Sequence, residues 1–396
     1  MIYLDNAATT PVRPEVIEAM LPYFNQFYGN PSNLYSLALR SRRALDEARA
    51  TVAKAIGARG PEEIVFTGCG TEADNLAVLG LARARQNLGR HIITSTIEHH
   101  AVLYACEELR REGFQVTKLA VDRYGLVDPQ ELAAALRPDT ILVSIMAANN
   151  EVGTIQPLRQ LAQVVAGHQA YFHTDAVQAT GAIPLKVEEW GIDALSLSAH
   201  KFYGPKGVGA LYLRQGVKPW SVNYGGGQER GLRSGTENVP GIVGLAKALE
   251  LATQGLEERL EPWRAKRDFL KEKLLAALPE AQLTGHPQER LPGSVSLVIP
   301  RLEGESLLIL LDRQGICASG GAACSAGHGG ISHVLAAMGV GPELGRGSLR
   351  LTLAPDIEYE LLEEAAEKIA AAVQKLWKVN AISARSHRSG RRRGER

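Results

Sequence analysis

An excess of charge of either sign is missing from this 396-residue chain: 44 Lys and Arg stand against 43 Asp and Glu, a formal net charge of +1. Bulk electrostatic attraction to nucleic acid or to a membrane surface is therefore not expected, and neither is direct nucleic-acid binding. Cysteine is scarce as well. The four present, Cys69, Cys106, Cys317 and Cys324, are irregularly spaced, which argues against a disulfide framework and leaves at least one thiol open to chemistry in a reducing cytosol. No apolar stretch approaches membrane-spanning length, and the start, Met-Ile-Tyr-Leu-Asp5, has neither a basic region nor an apolar one of the secretory kind, so a cytoplasmic protein is expected. There is no internal repeat of solenoid period.

What is present is 45% apolar content, enough for one large core and a smaller one, hence two domains. Short β-rich runs alternate with helical patterns: Glu63-Ile-Val-Phe-Thr67, His91-Ile-Ile-Thr-Ser95, Thr140-Ile-Leu-Val-Ser-Ile145, Tyr171-Phe-His-Thr174, Ala194-Leu-Ser-Leu197 and Gly209-Ala-Leu-Tyr-Leu213. That pattern predicts an α/β fold around a buried, mainly parallel sheet. A long charged helical pattern from about Pro240 to Leu278 leads to a second region, with strand signals at Gly293-Ser-Val-Ser-Leu-Val-Ile299 and Ser348-Leu-Arg-Leu-Thr-Leu353. The expected organisation is an N-terminal segment (1–15) packing with the small domain, a large domain (16–255), a small domain (256–378) and a disordered basic tail (379–396).

Polar or reactive residues follow nearly every large-domain run: Gly70 and Thr71, Glu98 and His99, Asn149 and Asn150, Asp175 and Gln178, then His200 and Lys201. In open α/β sheets, ligands sit outside the carboxyl ends of the strands, so these residues are expected to converge. Lys201 ends Ser196-Leu-Ser-Ala-His-Lys201, and a lysine at the mouth of a buried strand suits a Schiff base with an aldehyde cofactor. Phe66-Thr-Gly-Cys-Gly-Thr-Glu-Ala-Asp-Asn75 reads as strand, glycine turn and helix start. It is either an anion cradle or a plain turn. Asp175 at a strand end suits the ring nitrogen of a pyridine cofactor or the cap of a following helix. His99 suits stacking and proton movement, or an ordinary polar role.

Cys324 lies in a run of small residues from 318 to 330, Ala-Ser-Gly-Gly-Ala-Ala-Cys-Ser-Ala-Gly-His-Gly-Gly. Small neighbours leave the backbone permissive, so this thiol is expected to move between an interior site and an outside acceptor. Cys317, His328 and His333 could outline a metal site, but their spacing matches no common zinc pattern, so no metal is expected and Cys317 is read as buried. Cys69 is read as packing beside the cradle.

Taken together, the motifs resemble the cysteine desulfurases, pyridoxal-phosphate enzymes of the class-V aminotransferase group. The resemblance covers roughly residues 1 to 375. It rests on Tyr3-Leu-Asp-Asn-Ala-Ala-Thr-Thr-Pro11, Thr71-Glu-Ala-Asp-Asn75, Glu98-His99, Asn149-Asn-Glu-Val-Gly153, Asp175-Ala-Val-Gln178, Ser198-Ala-His-Lys-Phe-Tyr-Gly-Pro-Lys-Gly207 and Arg233-Ser-Gly-Thr236, in the family's order. It implies the aspartate-aminotransferase-like fold (PLP fold type I), with a mainly parallel seven-stranded sheet in the large domain and a smaller α+β domain. The implied cofactor is pyridoxal 5'-phosphate. Lys201 would bind it covalently, Asp175 would pair with its ring nitrogen and His99 would stack on the ring. Gly70, Thr71, Ser198 and His200 would hold its phosphate, with Thr236 reaching in from the partner of a homodimer. Gln178 and Asn150 would sit at its phenolic oxygen, Asn150 also near the substrate. Arg350 would grip the substrate carboxylate, a task suited to its bidentate fork.

The implied reaction converts L-cysteine to L-alanine and leaves the sulfur as a persulfide on Cys324, for delivery to an iron–sulfur scaffold or a tRNA-thiolation protein. Two departures stand out. Asn30-Pro-Ser-Asn-Leu-Tyr35 carries tyrosine where relatives commonly have histidine, and His328-Gly-Gly-Ile331 follows the cysteine. The retained loop length resembles the long-loop subgroup and favours direct sulfur handover. Selenocysteine lyase shares the implied fold and cofactor, and a cofactor-bearing scaffold that only docks partners is the non-enzymatic alternative.

Overall fold

The computed structural model describes residues 1–321 and 331–393, with side chains to residue 380. Its strands, in chain order, are β1 (Ile2–Tyr3), β2 (Ile64–Thr67), β3 (His91–Ser95), β4 (Gln115–Leu119), β5 (Thr140–Ser144), β6 (Tyr171–Asp175), β7 (Ala194–Ser198), β8 (Gly209–Leu213), β9 (Gln282–Leu283), β10 (Ser294–Val298), β11 (Ile316–Cys317) and β12 (Ser348–Thr352). They belong to two compact units. One comprises Thr9–Asn150 and Thr154–Glu258; the other comprises Met1–Ala8, Glu151–Gly153 and Arg259–Arg396. The N-terminal residues 1–15 thus divide after Ala8.

The larger unit is built on a seven-stranded sheet in the order β2-β8-β7-β6-β5-β3-β4. Pairing is parallel from β7 across to β4, and β8 runs antiparallel to both of its neighbours. Strands β2, β3, β5, β7 and β8 are buried throughout, and β6 is buried from Phe172 on, which is why they read as continuous apolar runs. Strand β4 gave no such signal. It is the edge strand, its Gln115 and Lys118 are exposed, and only Leu119 is buried. One face of this sheet packs on helices Gly70–Ala84 and His100–Arg111 through Val65, Leu76, Leu81, Val102, Leu109 and Leu211.

The smaller unit has a three-stranded antiparallel sheet, β12-β10-β9, and a two-stranded parallel ribbon of β1 and β11. Its core gathers Leu270, Leu274, Val295, Leu307, Leu351 and Ile369.

Two expectations need correction. The single helix from Pro240 to Leu278 is two helices, Val239–Thr253 and Leu256–Ala277. Gln254 leaves helical geometry at ψ 118 and Gly255 turns the chain at φ +61, a left-handed value that glycine adopts without a Cβ clash. The C-terminal helix, Tyr359–Arg393, runs on through most of the tail expected to be disordered. Once a docked helix is nucleated, Ala and Arg extend it at little cost, and no proline intervenes. No helix among the described residues is long and apolar enough to cross a membrane.

Candidate active site

The carboxyl ends of β2, β3, β5, β6 and β7 deliver the candidate residues of the larger unit to one edge of the sheet. After β2 the chain turns through Gly68 and Cys69 into helix Gly70–Ala84. The Cys69 Sγ caps this helix by accepting from Glu72 N at 3.4 Å, and the residue is exposed. Cys69 is therefore an exposed helix cap rather than the packing residue beside the cradle that was expected. Gly70 is buried, and a Cβ there would come within 2.8 Å of Val177 Cγ2 and 3.2 Å of Ser198 Cβ. Ser198, the last residue of β7, is 1% exposed, and its Oγ has no hydrogen-bond partner among the described residues. A buried hydroxyl left without a partner carries a desolvation penalty that a bound acceptor would remove. Thr71 is exposed in the first helical turn. A helix N-terminus beside an unpaired buried hydroxyl, with room kept by a glycine, has the donors an anion would need.

His99 follows β3 as the N-cap of helix His100–Arg111, its Nδ1 accepting from Ala101 N at 3.2 Å. Burial, with the Lys201 charge next in weight, lowers its pKa to about 4. The ring is neutral at pH 7, and its proton sits on Nε2. Glu98 beside it is fully buried, accepts from Ser95 Oγ and from Met146 N, and is pushed up to about 8 by burial.

Asp175 ends β6 and is 5% exposed; its Oδ1 accepts from Val177 N at 2.9 Å. Burial raises its pKa to about 6, against the Val177 N–H and the Lys201 ammonium. Lys201 closes the short 3₁₀ turn Ala199–Lys201 after β7, so its charge bears on His99, Asp175 and His200 alike. His200 is lowered to about 4 by burial first and Lys201 second; its Nδ1 is 3.2 Å from Thr9 Oγ1, and its carbonyl accepts from Thr10 N. The structure thus brings Gly70, His99, Asp175, Ser198, His200 and Lys201 together. Gln178 lies three residues beyond Asp175 and Asn150 in the loop after β5, both half-buried.

Thr236 is exposed on the polar loop between β8 and helix Val239–Thr253. Arg233, in the same loop, donates from Nε to Glu72 Oε1 at 2.7 Å, and Glu72 Oε2 accepts from Gly68 N. Farther back, the buried Glu229 takes both Arg49 terminal nitrogens and Phe66 N.

In the smaller unit, Arg350 on β12 is 6% exposed, and its Nη2 donates to Asp5 Oδ1 at 2.9 Å. Ser319 donates to the other Asp5 oxygen at 2.8 Å and pairs with Arg350 through a β-bridge. Cys317 is half-buried, more open than expected. Cys324 and His328 lie outside the described residues.

Sequence reasoning missed Asp5 as the partner of Arg350, and it missed a buried polar group beneath Asp175 formed by Asp74, His173 and Ser196. Polar residues spaced by two inside otherwise apolar strands, His173 with Asp175 and Ser196 with Ser198, were the available signal.

The donor set fits pyridoxal phosphate: a helix N-terminus with an unpaired hydroxyl, a buried carboxylate for a protonated ring nitrogen, a neutral imidazole and an amine whose charge bears on both. The family model described as aminotransferase class-V matches residues 2–361. A protein of Methanosarcina thermophila named cysteine desulfurase IscS is 51% identical over 388 residues, covering 98% of this chain and 96% of its own. One of Bacillus subtilis (strain 168) named putative cysteine desulfurase IscS 1 is 46% identical over 377 residues, covering 95% and 99%. Among solved structures, one described as a NifS-like protein superposes with a TM-score of 0.88 at 39% identity, covering 94% of this chain and 99% of that one. Another, described as SspA in complex with cysteine, gives a TM-score of 0.78 at 36% identity, covering 90% and 99%. This chain belongs to the class-V aminotransferase family, and within it is a cysteine desulfurase dependent on pyridoxal phosphate.

Proposed function

We propose that the sulfur of L-cysteine passes to Cys324 as a persulfide and that L-alanine leaves, with the residues gathered around Lys201 carrying the carbon chemistry. The observation that carries this reading is the convergence on one amine, Lys201, of Asp175, His99 and His200, beside the unpaired hydroxyl of Ser198. Lys201 would hold the cofactor through its aldehyde, Asp175 would pair with its ring nitrogen and His99 would lie against its ring. Gly70, Thr71, Ser198 and His200 would take its phosphate, and Gln178 and Asn150 would hold its phenolic oxygen. When bound, the cofactor would supply an electron sink for the substrate Cα.

The protein's own groups do the rest. Arg350 binds the substrate carboxylate with its planar fork. Lys201 would take the Cα proton and return protons to carbon. His99, neutral with its proton on Nε2, donates a hydrogen bond without adding a positive charge beside Lys201. Cys324, as thiolate, attacks the substrate sulfur; the S–S bond forms as the Cβ–S bond breaks. The electron pair of the broken bond stays with carbon, which takes up a proton and ends as the methyl group of alanine.

The same reading places the enzyme in the cytoplasm as a homodimer. The exposed Thr236 loop reaches the partner's phosphate site, and exposed Phe24, Tyr28, Trp220 and Tyr224 supply apolar surface for association. A sulfur-acceptor protein, of iron–sulfur assembly or tRNA thiolation, then takes the persulfide.

The test is to incubate enzyme with L-cysteine and a reductant and quantify sulfide and alanine for wild type, Lys201→Ala and Cys324→Ala. Equal release by wild type and loss of both products in each variant is expected. Sulfide release that survives in Cys324→Ala would remove Cys324 from the route.

A further inference from the structure

Beneath Asp175, on the same face of the sheet, lies a polar group that the reaction as described does not use. Strand register sets it there. Ser144 is paired with His173, and Asp175 with Ser196, while His173 and Asp175 are two residues apart and so point to one face. His173 Nδ1 is 2.8 Å from Ser144 Oγ and Nε2 is 3.0 Å from Ser196 Oγ. Asp74, in the second turn of helix Gly70–Ala84, closes the group from above, its Oδ1 3.8 Å from His173 Nε2 and without a hydrogen bond. All five side chains are essentially excluded from water, Asp175 at 5% being the most exposed.

The electrostatics of this pocket admit one negative charge more easily than two. Asp175 has a backbone N–H at hydrogen-bond distance and faces the Lys201 ammonium. Asp74 has neither, and among the described residues its only ion-pair neighbour is His173. His173 is no counter-ion, because burial alone lowers its pKa to about 3. A buried carboxylate without a cation, next to a second carboxylate, takes up a proton. Burial and the charges of Asp175, Glu98 and Cys69 all raise Asp74 well above the ordinary aspartate value, and only the hydroxyl of Ser196 opposes them.

We propose that Asp74 is a positioning residue that carries a proton in the folded enzyme and, beside the neutral His173, leaves Asp175 as the single ionised aspartate beneath the cofactor. This rests on the reading that Asp175 pairs with the cofactor's ring nitrogen. The proton on Asp74 removes the repulsion that would otherwise neutralise Asp175 and leave the ring nitrogen without its anion.

The experiment is isotope-edited infrared spectroscopy of the holoenzyme near pH 8, with carbon-13 in the aspartate carboxyls. Aspartate labelling is needed because Glu98 also titrates near there, at about 8. A protonated-aspartate C=O band is expected in wild type, retained in Ser196→Ala and absent in Asp74→Asn. Because Asp74→Asn exchanges one neutral group for another of the same shape, kcat and KM should stay within about twofold. The pH midpoint of the bound cofactor's absorbance should not move. Absence of the band in wild type, its survival in Asp74→Asn, or a midpoint shift of about one pH unit in that variant would overturn the proposal. Asp175→Asn separates the two readings: an unchanged cofactor spectrum in that variant would sink the role of Asp175, whereas the infrared band reports on Asp74 directly.

Discussion

Arg350 and Asp5, 345 residues apart in sequence, form a nearly buried ion pair in which Nη2 donates to Oδ1 at 2.9 Å. Asp5 also accepts from Ser319, so one carboxylate orients the arginine and the chain just before the Cys324 segment. A planar donor held at one corner presents its remaining edge in a fixed direction, which is what recognition of a substrate carboxylate requires.

Asp5→Ala is accordingly expected to raise KM for L-cysteine about tenfold, the equivalent of roughly 1.4 kcal/mol, with a smaller change in kcat. Steady-state kinetics at saturating cofactor check this. A kcat loss at unchanged KM would show that Asp5 serves something other than orientation of Arg350.

Ser198→Ala should separate folding from cofactor binding. The unpaired, buried Oγ costs the cofactor-free protein on the order of 1 kcal/mol, so its removal should raise the urea midpoint of the apoprotein. Cofactor affinity should fall by roughly tenfold, read by fluorescence titration. Lower apoprotein stability in the variant would contradict this account of the hydroxyl.

Glu98 links stability to pH. Its carboxyl is raised from 4.5 to about 8 by burial. The folded state therefore holds a proton that the unfolded state releases, and the stabilisation is full below about 4.5 and disappears as pH rises through about 8. Denaturant midpoints compared between pH 5 and pH 9 should show a smaller decline in Glu98→Gln than in wild type. Parallel profiles would mean that Glu98 is ionised throughout.

Glu229→Ala should lower stability by about 3–5 kcal/mol, because Arg49 would keep a largely buried charge without its bidentate partner. Limited proteolysis should then cut the loop carrying Thr236, since Glu229 also ties that segment to Phe66 N. Unaltered thermal unfolding would refute this.

The α/β architecture was legible because its central strands are buried on both faces and read as short apolar runs, each followed by a chemical residue, as with Leu197 and Lys201. Strand β4 was not, since an edge strand with exposed Gln115 and Lys118 lacks the pattern. The interruption at Gly255 was missed because residues on either side share helical periodicity, and one left-handed glycine leaves almost no trace in composition.

By itself, the amino-acid sequence determined the chemistry. An amine after β7, a carboxylate ending β6, a glycine opening a helix and a lone thiol among small residues are local signals, each readable within a few positions. The tertiary structure decided which groups share a dielectric environment. Asp5 meets Arg350, Glu229 meets Arg49 and Asp74 lies over His173 only because strands and helices distant in sequence are packed together. Protonation follows from that packing. The same aspartate side chain is anchored by a backbone amide at 175 and left without a hydrogen bond at Oδ1 at 74, and burial turns the difference in partners into a difference in charge.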